Sequence, residues 1–154
     1  MIPLLAGVAV SEVLDVSLKW PNDVVRDDDK LGGILVESAD GVVVAGVGLN
    51  LWWPGAPDGM GAAYAADPGS SRGPQIAESW VIAFLGLMDG SPESWPRATF
   101  RDRCVTLGRP IVWDPDGYGL ALDIDDLGGL VVENGGNRTV LRSGSVRHVR
   151  PAGR

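Results

Sequence analysis

The chain has 154 residues and a formal net charge of −7, a length that fits one domain or a medium domain joined to a small one. With 45% apolar and 21% charged residues it can bury a core, and its acidic balance argues against general nucleic-acid binding, which needs a basic face. The 22 glycines and 11 prolines follow no Gly-x-y period, which excludes collagen.

The first apolar stretch, Ile2–Val10, is too short to span a bilayer and has no basic segment ahead of it, so it reads as neither membrane anchor nor signal peptide. Residues 3–15 are predicted as a short helix with Pro3 in its first turn and Leu4, Leu5, Val8 and Val13 along one face. Val16, Leu18 and Trp20 alternate with Ser17 and Lys19, a strand signal that Pro21-Asn22-Asp23 ends with turn chemistry. Val24–Val25 begin a second run, and Asp27-Asp28-Asp29 form a polar tip. Leu31–Val36 and Val42–Leu51 flank Asp40-Gly41, a hairpin signal. No crossover helix fits between these runs, so the strands are expected to pair mainly antiparallel. Residues 52–73, rich in Gly, Ala, Pro, Asp and Ser, read as a long functional or mobile surface loop. Ile76, Trp80, Phe84, Leu85 and Leu87 then follow at helical spacing up to Gly90, and a second helical pattern is expected over Pro92–Cys104. Beyond Val105 come short β-like runs at Pro110–Trp113, Gly119–Ile124, Leu130–Glu133, Thr139–Leu141 and Val146–Val149, separated by turn residues as in a small barrel.

Chemistry-bearing residues concentrate in three stretches: Lys19-Trp20-Pro21-Asn22-Asp23, Lys30-Leu31-Gly32-Gly33-Ile34-Leu35 and Gly46-Val47-Gly48-Leu49-Asn50. A carboxylate on a turn, a lysine opening a strand and glycines that expose backbone suit an anionic, planar ligand with a metal. Each piece also has a plain reading. Pro-Asn-Asp is an ordinary turn, Lys30 beside three aspartates is a solvated lysine, and glycines in a strand mark a bulge or tight packing. Gly-x-Gly without a third glycine and a following helix is no dinucleotide fingerprint. One cysteine, Cys104, excludes an internal disulfide and one histidine, His148, excludes a His-rich metal site, so the chain reads as soluble and cytoplasmic.

In this order and spacing the three stretches resemble the biotin–protein ligase family. Its central domain carries a Lys-Trp-Pro-Asn-Asp turn, a Lys-x-x-Gly-Ile-Leu strand and a Gly-(Ile/Val)-Gly-x-Asn strand. Cys104–Ile111 and Ser143–Val149 resemble, more weakly, that family's SH3-like C-terminal domain. The resemblance implies an α+β fold. A partial mixed or antiparallel sheet with helices, a class II synthetase-like core, would occupy residues 1–104, and a small SH3-like β-barrel residues 105–154. It implies ATP-dependent activation of biotin to biotinyl-5′-adenylate, then transfer to a lysine of a biotin carboxyl carrier domain of a carboxylase. Lys30 would act on the biotin carboxylate and phosphate, and Asp23 on Mg²⁺ or the incoming lysine. Asn22 would hold the turn, Gly32 and Gly33 would line biotin, and Asn50 would stand near the adenine or phosphate end. Trp20 is expected in the core.

Departures from the family pattern carry their own expectations. The Gly- and Arg-rich loop that closes over biotin and adenylate has no match before Arg26, so a C-terminal part of a ligase, weakly active or inactive alone, is expected. A non-catalytic binding module is the alternative. Exposed sheet edges predict a homodimer. Asp27-Asp28-Asp29 is expected to be a solvated tip rather than a metal cluster, and Trp52-Trp53-Pro54 a loop anchor or a lid over adenine. Arg142, Arg147, His148, Arg150 and Arg154 form a barrel rim, or a surface for ATP phosphates or an acidic acceptor domain.

Overall fold

A computed structural model describes residues 1–91 and 94–149. The first sheet contains β1 (Ser17–Lys19), β2 (Asp23–Arg26), β3 (Asp29–Ala39) and β4 (Val42–Leu49), in that spatial order and wholly antiparallel. The second contains β5 (Pro110–Trp113), β6 (Gly117–Ile124), β7 (Leu130–Asn134), β8 (Asn137–Leu141) and β9 (Val146–His148), ordered β8-β7-β6-β5-β9 and again antiparallel. Among the described residues, parallel pairing is confined to two isolated bridges, Leu18 with Cys104 and Lys30 with Met60, so the mixed sheet left open by the sequence is an antiparallel one. The fold is α+β. In the second sheet β8 and β9 are both edge strands, so its pairing, among the described residues, does not close the barrel the tail was expected to form.

Helix α1 (Ile2–Val13) is buried on every side from Leu4 to Ser11, not along one face as the spacing suggested. The reason is its position between two layers. The inner face of the first sheet lies on one side, where Ile34 and Leu18 approach Gly7. Helix α2 (Arg72–Met88) lies on the other, where the Trp80 indole N–H donates to the Ala6 carbonyl at 3.1 Å. A helix apolar all round is the sequence form of such a place. The helix expected over Pro92–Cys104 is shorter: α3 spans Arg97–Arg103 behind Pro96, whose ring suits only a helix start. Pro92 lies outside the described residues.

The stretch 52–73 is largely exposed up to the start of α2, but its 59–63 segment is tied down. The backbone of 59–63 runs along the end of the first sheet, with Lys30 N–H donating to Gly59 O (2.9 Å), Gly61 N–H to Lys30 O (2.9 Å) and Ala63 N–H to Asn50 O (2.8 Å).

Indoles, a guanidinium and a hydroxyl tie the first sheet and the α3 segment to the second sheet. The buried Trp20 donates from its ring to Gly128 O at 3.0 Å, and Trp95 to Asp126 O at 2.8 Å. Arg97 donates to Ile124 O at 2.6 Å and pairs with Asp123 and Asp126. The wholly buried Thr106 hydroxyl accepts the Trp20 backbone N–H at 3.0 Å and lies 3.4 Å from His148 Nε2. Trp20 is thus a core residue.

Two predictions follow from this packing. A Cβ at Gly32 would lie 2.0 Å from the Gly48 carbonyl oxygen, which is backbone and has nowhere to go. Gly32→Ala is expected to cost about 3 kcal/mol or more in urea unfolding; a loss below about 0.5 kcal/mol would contradict the register described. Burial, then the charges of Lys19 and Arg109, hold the His148 imidazole below its ordinary value of 6.5, with Asp28 opposing. The unfolded chain therefore binds the proton first on acidification. This contribution is fully present above pH 6.5 and is lost as pH falls through the lower folded value. His148→Gln is expected to flatten the fall in urea midpoint below that pH; an unchanged slope would contradict it.

Candidate active site

The site begins with a break in strand register. Asp23 pairs with Gly33 and Val24 with Gly32, but Val25 pairs with Lys30 and Arg26 with Asp29. Strand β3 therefore carries one surplus residue, Leu31, a β-bulge. In an unbroken strand Lys30 and Gly33 would face opposite ways. The bulge sends Leu31 and Ile34 both into the core and leaves Lys30 and Gly33 together on the outer face. A Cβ at Gly33 would lie 3.8 Å from both the Asp23 carboxylate and the Lys30 side chain.

Direct pairing extends this face across all four strands: Lys19 stands opposite Asp23, Asp23 opposite Gly33, and Gly33 opposite Gly48. The Asp23 carboxylate lies between two ammonium groups, Lys30 Nζ at 2.6 Å on Oδ1 and Lys19 Nζ at 3.7 Å on Oδ2. Beside this cluster the floor is bare backbone. Nothing lies within 4 Å of where a Cβ would stand at Gly46 or Gly48. Lys30 is 44% exposed and Asp23 20%, so the pair is shielded on the sheet side and open on the other.

Of the residues singled out by the sequence, Asp23, Lys30 and Gly33 come together here. Gly32 pairs with Leu49, and its Cβ position runs into the Gly48 carbonyl, a close-approach position rather than an open floor. Asn22 ties the turn to β3: its side-chain amide donates to Ile34 O at 2.7 Å and its carbonyl accepts the Ile34 N–H at 2.8 Å. Asn50 lies apart, its amide donating to Gly61 O at 3.2 Å. It lines a depression of about 570 Å³ with the half-exposed Trp52 and Trp53 and with Asp67. Sequence reading gave Lys19 no role, although the same alternation that marked its strand, with the turn behind it, places it opposite Asp23.

A cleft of about 700 Å³ is not lined by Asp23 or Lys30. It lies where the second sheet overhangs the outer face of the first, between Lys19, Val25 and Asp28 on one side and Arg109, Tyr118, Arg147 and His148 on the other. Lys19 belongs to both places, and geometry favours the open glycine floor as the chemical centre because the carboxylate and both lysine heads meet there. Arg142 pairs with Asp125, away from the cleft lining, and Arg150 and Arg154 lie outside the described residues.

A divalent cation does not fit as a resident group. Both Asp23 oxygens already face lysines, and the described residues contain no group of three His, Cys, Asp or Glu side chains able to hold a metal. Asp27, Asp28 and Asp29 form no such cluster, and Asp28 pairs with Arg109. Burial pushes the Cys104 thiol up, which makes it a protonated core group rather than a nucleophile. No helix among the described residues is long and apolar enough to cross a membrane.

With this geometry in hand, comparisons with known proteins converge. The profile of the biotin/lipoate A/B protein ligase family matches residues 9–51, the span that holds the row from Lys19 to Gly48. The biotin–[acetyl-CoA-carboxylase] ligase of Mycobacterium tuberculosis is 32% identical over 96% of this chain and 62% of its own length. The enzyme of the same name from Paracoccus denitrificans is 29% identical over 91% of this chain and 66% of its own. This chain thus spans less than two thirds of either relative. The biotin protein ligase of Aquifex aeolicus, solved with biotin and ATP, superposes with a TM-score of 0.81 at 21% identity, over 96% of this chain and 71% of that one, which establishes the shared fold. The chain is thus similar to the biotin/lipoate A/B protein ligase family over residues 9–51 and to biotin–[acetyl-CoA-carboxylase] ligases over most of its own length.

Proposed function

We propose that this chain carries the acyl-adenylate site of a biotin–protein ligase. Biotin's carboxylate oxygen attacks the α-phosphorus of ATP and pyrophosphate leaves. The amine of an acceptor lysine then attacks the acyl carbon, loses a proton, and AMP leaves. The acceptor in this reading is the biotin carboxyl carrier domain of a carboxylase, which is supported by relatives named biotin–[acetyl-CoA-carboxylase] ligases.

The observation that carries the reading is the Asp23 carboxylate between Lys19 and Lys30 beside an unobstructed glycine floor. The first step brings two anions together, so it needs positive charge and positioning more than covalent help. The Lys30 ammonium, held at 2.6 Å by Asp23, supplies a preorganised cation where carboxylate and phosphate meet. Gly33, Gly46 and Gly48 let a flat bicyclic ring lie against backbone. In the second step Asp23 receives the incoming lysine ammonium as Lys30 turns to the adenylate phosphate. Mg²⁺ enters as part of the Mg·ATP substrate. Asn50, Trp52 and Trp53 take the adenine end. Residues 105–154 serve as the small SH3-like domain of the family, with the cationic cleft beside Lys19 facing the acceptor.

Calorimetric titration with biotinyl-5′-adenylate tests the site. Lys30→Gln is expected to weaken binding about tenfold to a hundredfold, the loss of one charge-assisted hydrogen bond. Gly48→Val places a strand-favouring side chain in open space, so urea stability is expected to hold within about 0.5 kcal/mol while the filled floor loses the ligand. Equal affinity in both variants, or no binding by the unaltered chain, would contradict the reading.

A further inference from the structure

The surplus residue on β3 has two places to go. It can be absorbed as the bulge at Leu31, or in the turn that joins β2 to β3. Only the first leaves Lys30 facing Asp23, because a one-residue change of register turns a side chain to the other face. The turn is held tight. It has two residues, Asp27 and Asp28, with φ of +51° and +69°. Such a turn prefers Asn-Gly, since only glycine enters the left-handed region freely. Here two aspartates occupy it, which enter that region less freely than glycine, and a third, Asp29, opens β3 beside them, so three carboxylates crowd one tip.

The compensation comes from the second sheet. Arg109, just ahead of β5, donates from Nη1 to Asp28 Oδ1 at 2.5 Å. The same Nη1 lies 3.4 Å from His148 Nδ1, and the other ring nitrogen faces the Thr106 hydroxyl that accepts the Trp20 backbone N–H. The chain of contacts thus runs from the turn at one end of β2 to the Trp20 turn at its other end, through side chains of the second sheet and its lead-in. Asp27 and Asp29 have no ion-pair partner among the described residues, and Arg26 points elsewhere, to the Asp15 and Ala63 carbonyls.

We propose that Arg109 is a positioning residue. By clamping the Asp27-Asp28 turn it forces the surplus residue into the Leu31 bulge and so sets Lys30 against Asp23. It touches neither Asp23 nor Lys30 and acts wholly through the hairpin.

The test uses amide hydrogen exchange without ligand and titration with biotinyl-5′-adenylate; the second arm alone rests on the ligase reading. Arg109→Met removes an exposed ion pair, which contributes little to global stability, so the thermal midpoint is expected to stay. The amides of residues 26–31 are expected to exchange about tenfold faster, as a locally opened hairpin does. Adenylate affinity is expected to fall about tenfold, less than the ~100-fold that a 1 Å misplacement of reacting groups costs. The decisive variant adds Asp27→Asn and Asp28→Gly to Arg109→Met. An Asn-Gly turn needs no clamp and is expected to restore both slow exchange and affinity. Unchanged exchange in Arg109→Met, or no recovery with Asn-Gly, overturns the proposal. If the unaltered chain binds no adenylate while exchange follows the expected pattern, the clamp stands and only the ligase reading falls.

Discussion

One surplus residue in β3 decides what the outer face of the first sheet presents. Without the register break at Leu31, Lys30 would point into the core or the core would lose one of Leu31 and Ile34, since residues an odd number apart cannot share a face. With it, two apolar side chains go inward, and the lysine, the Asp23 carboxylate and Gly33 stand together outside. Packing and chemistry are thus satisfied by the same irregularity, the usual reason a bulge sits beside a functional site.

Charge is distributed with the same economy. The chain as a whole is acidic, at −7, yet Lys19, Lys30, Arg109 and Arg147 lie on or around one face of the first sheet and the cleft above it. Within that acidic body, a local cationic cluster focuses anions toward one place. Asp23 pairs with Lys19 and Lys30, and Asp28 with Arg109, so these three cations are oriented rather than merely present. The second sheet contributes through contacts at both ends of β2: Thr106 on the Trp20 backbone and Arg109 on the Asp27-Asp28 turn.

Much of this was legible in the sequence. Alternation and turn chemistry marked the strands of the first sheet, and Asp40-Gly41 marked their longest hairpin. Three short stretches held the residues that converge and carried the family resemblance. The rest depended on information that local patterns do not contain. Helix α1 looked one-faced because four spaced apolar residues suffice for one face; its second partner, α2, comes about 60 residues later. Lys30 seemed to belong with the neighbouring aspartates, yet it pairs with Asp23, because a bulge is a property of two strands and not of one. Asn50 shared a motif with Gly48 but follows the end of β4, where the 59–63 segment captures its amide. Arg109 had no local signal, since its partner Asp28 is 81 residues away.

The central claim is that the row Lys19–Asp23–Gly33–Gly48 is the floor on which an acyl-adenylate lies. Amide chemical-shift mapping of the labelled chain during addition of biotinyl-5′-adenylate reads that floor residue by residue. The account predicts the largest shifts at Asp23, Gly33, Gly46 and Gly48. Shifts confined to residues 110–149, with those four amides unmoved at saturation, would contradict it.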